Sequence, residues 1–156
     1  MNILLIYATN SGTTMLTAQT ISDNLTQKGH TVTMKEVRAS TPEDIQNAQA
    51  VILGSPSWDF DGHEGMPHED YVPLMEKLKT KTYEGKPFAV FGLGDSSYTH
   101  FCGAVDHLEE LVSTMKGKLL VPSLRIDKFF SDQTRHMESI GAWTNDLVGQ
   151  LTGIPT

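Results

Sequence analysis

Short apolar runs alternate along the chain with longer stretches that carry an apolar residue every third or fourth position. Ile3-Leu4-Leu5-Ile6-Tyr7 reads as a buried strand. Thr13 to Lys28 carries Ala18, Ile21 and Leu25 on one stripe and meets Gly29, which predicts a helix with a glycine stop. Thr31 to Val37 alternates like a less buried strand. Thr41-Pro42-Glu43-Asp44 pairs an N-cap threonine with a first-turn proline and starts a short helix that ends near Ala48. Val51-Ile52-Leu53 is a third strand running into Gly54-Ser55-Pro56, and a long polar loop is predicted from Trp58 to Glu69. Tyr71 to Leu78 predicts a short helix, and Phe88 to Leu93 a central strand. Gly103 to Lys116 is helical, with Val105, Leu108, Leu111, Val112 and Met115 on one stripe. Lys118 to Val121 predicts a fifth strand that Leu124-Arg125-Ile126 extends past Pro122. The last helix runs from about Asp132 to Leu151, with Ile140, Trp143, Leu147 and Leu151 inward.

Continuous apolar strands separated by helices imply an α/β fold, a parallel sheet covered on both faces. The expected architecture is a doubly wound five-stranded parallel sheet of order 2-1-3-4-5 with helices on both faces. Residues 1–156 are expected to form a single domain, because no repeat, low-complexity segment or linker interrupts the pattern.

In such sheets a ligand sits beyond the carboxyl ends of the strands, where the order reverses between strands 1 and 3. The least ordinary segments fall there. Strand 1 ends in Thr9-Asn10-Ser11-Gly12-Thr13-Thr14, crowded with hydroxyls and opening a helix. Unpaired amides at a helix N-terminus carry partial positive charge, so this loop is a phosphate cradle that uses amides and hydroxyls in place of Lys or Arg. It is not a P-loop, since Gly-x-x-x-x-Gly-Lys is absent, and Gly-x-Gly-x-x-Gly does not follow strand 1. Strand 3 leads into Pro56-Ser57-Trp58-Asp59-Phe60, and strand 4 into Gly94-Asp95-Ser96-Ser97-Tyr98. Trp58 and Tyr98 stand on loops where an aromatic needs something to cover. A flat ring between them, with phosphate at residues 9 to 14, fits flavin mononucleotide (FMN).

These segments resemble the flavodoxins almost from end to end. Thr9 to Thr14 is similar to the family's phosphate loop, Ser57-Trp58 to the loop that stacks tryptophan on the inner flavin face, and Gly94 to Tyr98 with Phe101-Cys102-Gly103 to the third flavin loop. Leu124-Arg125-Ile126-Asp127 also follows the pattern, and the chain resembles the short-chain group. The resemblance implies that Tyr98 stacks on the outer face and that the backbone near Asp95 and Cys102 meets the pyrimidine edge. The site set it implies is Thr9, Asn10, Ser11, Gly12, Thr13, Thr14, Pro56, Ser57, Trp58, Asp59, Phe60, Gly94, Asp95, Tyr98, Phe101 and Cys102, with no catalytic residue and no metal. It implies a low-potential one-electron carrier, not an enzyme, that cycles FMN between semiquinone and hydroquinone. Asp59, Asp61, Glu64 and Asp95 would disfavour an anionic flavin by repulsion. Asp59 stands where the family often has a glycine whose peptide flips, and Asp takes φ > 0 at a cost.

Charge and cysteine narrow the partners. The chain of 156 residues has a formal charge of −7, which argues against nucleic acid and for basic redox proteins such as a basic-faced flavodoxin or ferredoxin reductase and terminal acceptors. The single cysteine excludes an internal disulfide and a Cys-based metal site and suits a reducing cytoplasm. No membrane span is expected, and a monomer is. His63, His68 and His100 read as solvated loop histidines, and Cys102, at a helix start, as a thiol packed beside the flavin or one with a lowered pKa. A receiver-type site fails because Ala8-Thr9-Asn10 lacks the acidic pair it needs. An FMN-dependent NAD(P)H:quinone oxidoreductase is the alternative, with Tyr98 capping the outer face against it.

Overall fold

The computed structural model describes residues 1–8, 12–60, 63–94, 102–127 and 132–154. Its centre is a parallel sheet in which β1 (Asn2–Tyr7) lies between β2 (Thr31–Glu36) and β3 (Ala50–Phe60). Outside β3 comes β5 (Pro87–Gly94), followed by β6 (Lys118–Leu119) and β7 (Leu124–Asp127), both paired to β5. The order is that expected from sequence, with the fifth strand divided in two. Residues 120–123 span only two partner positions on β5, and Pro122 has no N–H to give a ladder.

Alternation along β1 assigns the faces. Ile3, Leu5 and Tyr7 join Ala18, Ile21 and Leu25 of α1 (Thr13–Gln27) and Ile140, Trp143, Leu147 and Leu151 of α5 (Gln133–Thr152). Leu4, Ile6 and Ala8 face α2 (Pro42–Asn47), α3 (Val72–Leu78) and α4 (Gly103–Thr114) through Ile45, Leu74, Leu78, Val105 and Leu108. All three helical stripes read from the sequence are thus core.

The expected loop from Trp58 to Glu69 is corrected. β3 continues to Phe60 and folds back on β4 (His63–Pro67) as an antiparallel ribbon, pairing Ser57 with Pro67 and Phe60 with His63. Between Trp58 and Phe60 the register shifts, with one residue more on β4, where Gly65 takes φ 77°. The ribbon rests on α4: a Cβ on Gly103 would lie 2.5 Å from the Gly65 carbonyl oxygen.

Candidate functional site

The carboxyl ends of β1, β3 and β5 meet on one edge, where Tyr7 pairs with Gly54 and Pro56 with Leu93. Tyr71 joins the first two strands from below. Its fully buried hydroxyl donates to the Gly54 carbonyl at 2.9 Å and to the Ile6 carbonyl at 3.3 Å, and burial raises its pKa. The strand order reverses between β1 and β3, so Tyr71 secures the crevice at its floor. Nothing in the local pattern of Tyr71 announces this task, since both acceptors are distant in sequence.

At this edge α1 begins. Gly12 is its N-cap in the left-handed region, φ 89°, with no side-chain cap among the described residues, and no acidic residue occupies the first turn. A Cβ on Gly12 would point into open space. Thr14 is only 1 % exposed, yet its Oγ1 has no hydrogen-bond partner. A buried hydroxyl without a partner is costly, and Thr14 stands in the first turn of α1, the helix end that favours an anion. These residues fit a phosphate group carried by FMN.

Pro56 is the last residue of β3 paired to β5, and Ser57, the next, lies beside the first turn of α4. The Ser57 hydroxyl oxygen accepts the Ala104 N–H at 3.2 Å, so Ser57 caps a helix that begins 46 residues later without a cap of its own. Gly94 ends β5 against Cys102: a Cβ there would lie 2.9 Å from the Cys102 nitrogen. Cys102 is fully buried at φ 49°, with its thiol 3.7 Å from the Ile126 carbonyl oxygen. Burial pushes the thiol pKa up to about 12, and Arg125 lowers it less than burial raises it. Of the two readings of Cys102, the lowered pKa is therefore corrected, because desolvation by burial is the largest influence on the thiol.

Arg125, on β7, was not among the expected site residues. Its guanidinium donates to the Cys102 carbonyl at 3.2 Å, to Asp106 Oδ1 at 2.7 Å and to Glu109 Oε1 at 3.4 Å. The contacts are long-range, and the only sequence signal was the apolar-charged alternation of Leu124 to Asp127.

His68 is corrected as well. It is 7 % exposed, its N–H donates to the Ser55 hydroxyl at 2.9 Å, and its Nδ1 accepts the Asp70 N–H at 3.1 Å, capping the turn of 3-10 helix at Glu69–Tyr71. Thr9, Asn10, Ser11, Asp95, Tyr98, Phe101 and His100 lie outside the described residues, as do Asp61 and Gly62; Trp58, Asp59 and Phe60 are described as β3 backbone only. Of the expected set, the structure therefore brings together Gly12, Thr13, Thr14, Pro56, Ser57, Gly94 and Cys102 at one edge. Among the described residues, no group of three or more His, Cys, Asp and Glu is placed to hold a metal ion.

The flavodoxin family model matches residues 5–142. A flavodoxin of Nitratidesulfovibrio vulgaris is 31 % identical over 96 % of this chain and 99 % of its own length. A flavodoxin of Maridesulfovibrio salexigens is 34 % identical over 95 % of this chain and 97 % of its own. Among solved structures, oxidised flavodoxin 2 of Bacillus cereus superposes with a TM-score of 0.86 at 28 % identity, covering 96 % of this chain and 99 % of that one. Sheet order, edge geometry and sequence relatives thus agree over nearly the whole length, and the chain belongs to the flavodoxin family.

Proposed function

We propose that this protein holds one FMN non-covalently at the carboxyl edge of the sheet and carries single electrons between redox proteins. The observation that carries the reading is the start of α1, where Gly12 is left-handed with open space at its Cβ position and the buried Thr14 hydroxyl lacks a partner among the described residues. Residues 9–14 would hold the phosphate through amides and hydroxyls. Residues 56–60 and 94–102 would flank the ring and keep water from it, with Trp58 and Tyr98 on its two faces. Bound FMN supplies the one-electron chemistry, and the protein supplies position and electrostatics. A flavodoxin of Fusobacterium nucleatum, 20 % identical, is described as bound to flavin mononucleotide.

The acidic residues Asp59, Asp61, Glu64 and Asp95 oppose added negative charge on the ring, which makes the protein a low-potential donor. Redox proteins are its partners. The net charge of −7 directs it to a basic-faced flavodoxin or ferredoxin reductase and to terminal acceptors. It acts as a monomeric single domain in the cytoplasm. No described helix is long and apolar enough to cross a membrane.

The test is titration of apoprotein with FMN, followed by stepwise reduction of the complex under anaerobic conditions. Stoichiometric quenching of flavin fluorescence and two resolved one-electron potentials are expected. Apoprotein that leaves FMN fluorescence unchanged would overturn the cofactor reading. Steady turnover of NADPH and a quinone without an added reductase would overturn the carrier reading.

A further inference from the structure

We propose that Arg125 is a positioning residue for the flavin site, acting through the first turn of α4. The inference rests on the cofactor reading above. Gly94 and Cys102 are the two ends of the connection between β5 and α4, the connection that resembles the family's third flavin loop. They sit side by side, since a Cβ on Gly94 would lie 2.9 Å from the Cys102 nitrogen. What fixes the second end is unusual. Cys102 is a non-glycine residue at φ 49° and ψ 37°, a left-handed backbone state that is unfavourable for an L-residue and persists only where neighbours hold it.

Three elements grip that turn. Ser57 of β3 accepts the Ala104 N–H, Gly65 of β4 packs on Gly103, and Arg125 of β7 takes the Cys102 carbonyl. Of the three, Arg125 alone acts on the strained residue itself. One guanidinium nitrogen binds the Cys102 carbonyl at 3.2 Å, and another reaches Asp106 at 2.7 Å, one turn further along the helix. The planar fork therefore spans the N-terminal turn and fixes both its carbonyl and its rotation. A lysine has the charge but no rigid fork, so it can satisfy one of these acceptors with defined geometry and not both. Arg125 is 32 % exposed and lies outside the hydrophobic clusters, so its contacts are not needed to fill the core. Its consequence is on where the chain re-enters α4, and through that on how tightly the edge closes on a ligand.

The experiment compares wild-type protein with the Arg125→Met and Arg125→Lys variants. FMN dissociation constants come from fluorescence quenching of the apoproteins, measured well below their melting temperatures. Thermal unfolding of the same apoproteins reports stability separately. Positioning predicts a Kd raised about tenfold or more in Arg125→Met and about threefold or more in Arg125→Lys. The Arg125→Lys apoprotein is expected to melt within a few degrees of wild type. If Arg125→Met does not fold, Arg125→Lys decides alone. A Kd within twofold of wild type in every variant that folds overturns the proposal, even if the melting temperature drops, because the role is then structural only. Wild-type apoprotein that binds no FMN overturns the cofactor reading, and this inference with it, before any variant is compared.

Discussion

Cys102 shows how burial decides chemistry at a single residue. Its thiol is shielded, its nearest acceptors are backbone carbonyls, and its pKa stands near 12 against an ordinary 9.0. The thiolate is the reactive form, so a disulfide reagent such as DTNB at pH 8 should leave folded protein unlabelled and titrate one thiol after unfolding. Rapid labelling of folded protein would contradict the burial. The same shift fixes the sign of a pH effect. A pKa raised on folding contributes stability that is fully present below pH 9 and is lost as pH rises towards 12, because the unfolded thiol ionises first. Denaturation midpoints should therefore fall in this range less for Cys102→Ala than for the parent, once its own lower stability is subtracted. Asp59 poses a second question at this scale. Its backbone belongs to β3, and the left-handed residue of the ribbon is Gly65 on the opposite strand. Asp59 lies within the register shift of the ribbon, and its side chain disfavours the positive φ that a peptide flip often needs. The Asp59→Gly variant is expected to widen the separation of the two FMN midpoint potentials by a factor of about ten in the equilibrium constant, or 59 mV for one electron. An unchanged separation in the reductive titration would remove Asp59 from the account of tuning.

At the scale of elements, caps show what the sequence makes legible. Thr41 and Asp44 form a reciprocal capping box, and Lys35 binds Asp44 at 2.9 Å and is the largest cause of its lowered pKa. The Thr-Pro-Glu-Asp string announced that start because every partner is local. The end of α1 was equally readable. Gly29 at φ 92° sends its N–H to Thr26, and the His30 N–H reaches Leu25. The same motif closes α4, but there Lys116 takes φ 60° and Gly117 follows it. Gly117 is placed by packing, because a Cβ there would lie 2.5 Å from the Phe88 ring. Lys116→Gly should therefore relieve a left-handed lysine and raise stability by roughly 0.5–1 kcal/mol, read as a higher urea midpoint at unchanged slope. A lower midpoint would mean that the lysine stem contributes more than the strain costs. The ribbon of β3 and β4 escaped the sequence reading for a related reason. Its strands are polar and irregular, with a bulge at Gly65, so no clean alternation marks them, although Asp61-Gly62 between them is a hairpin signal. The sheet order and both helical faces were legible because apolar periodicity is local. The ties that place the site, Ser57 to Ala104, Arg125 to Cys102 and Tyr71 to Gly54, join residues far apart in sequence and left no local trace.

For the whole molecule, the distribution of charge says more than its sum. Lys77, Lys79 and Lys81 end α3 and follow it, Lys116 follows α4 and Lys118 opens β6; all five are exposed. Hydrogen bonds from Gly85 to Lys116 and from Lys118 to Lys86 bring these segments together at the amino edge of the sheet. The carboxyl edge is the opposite pole. Two arginines there are each bracketed by two carboxylates, Arg38 by Glu36 and Asp70 and Arg125 by Asp106 and Glu109, and Glu69, Asp127 and Asp132 add acidic groups while Arg135 in the first turn of α5 adds a positive one. The proposed basic partner would therefore be steered by a dipole that presents the proposed flavin edge, and not merely by net attraction. The association rate with a basic-faced reductase should fall at least roughly tenfold as the screening length shrinks from about 30 Å at 0.01 M salt to about 3 Å at 1 M. Paired substitutions separate pole from sum. Glu36→Gln with Glu69→Gln should slow association at low salt and flatten its salt dependence. Lys81→Gln with Lys118→Gln makes the molecule more negative overall, so a field governed by net charge would speed association. A field governed by the acidic pole leaves that rate within about twofold, because the altered charges lie several screening lengths from the docking edge at physiological salt. Stopped-flow rates for the two pairs at several ionic strengths decide between them, and faster association of the lysine pair would show that net charge, not its polarity along the sheet, directs the encounter.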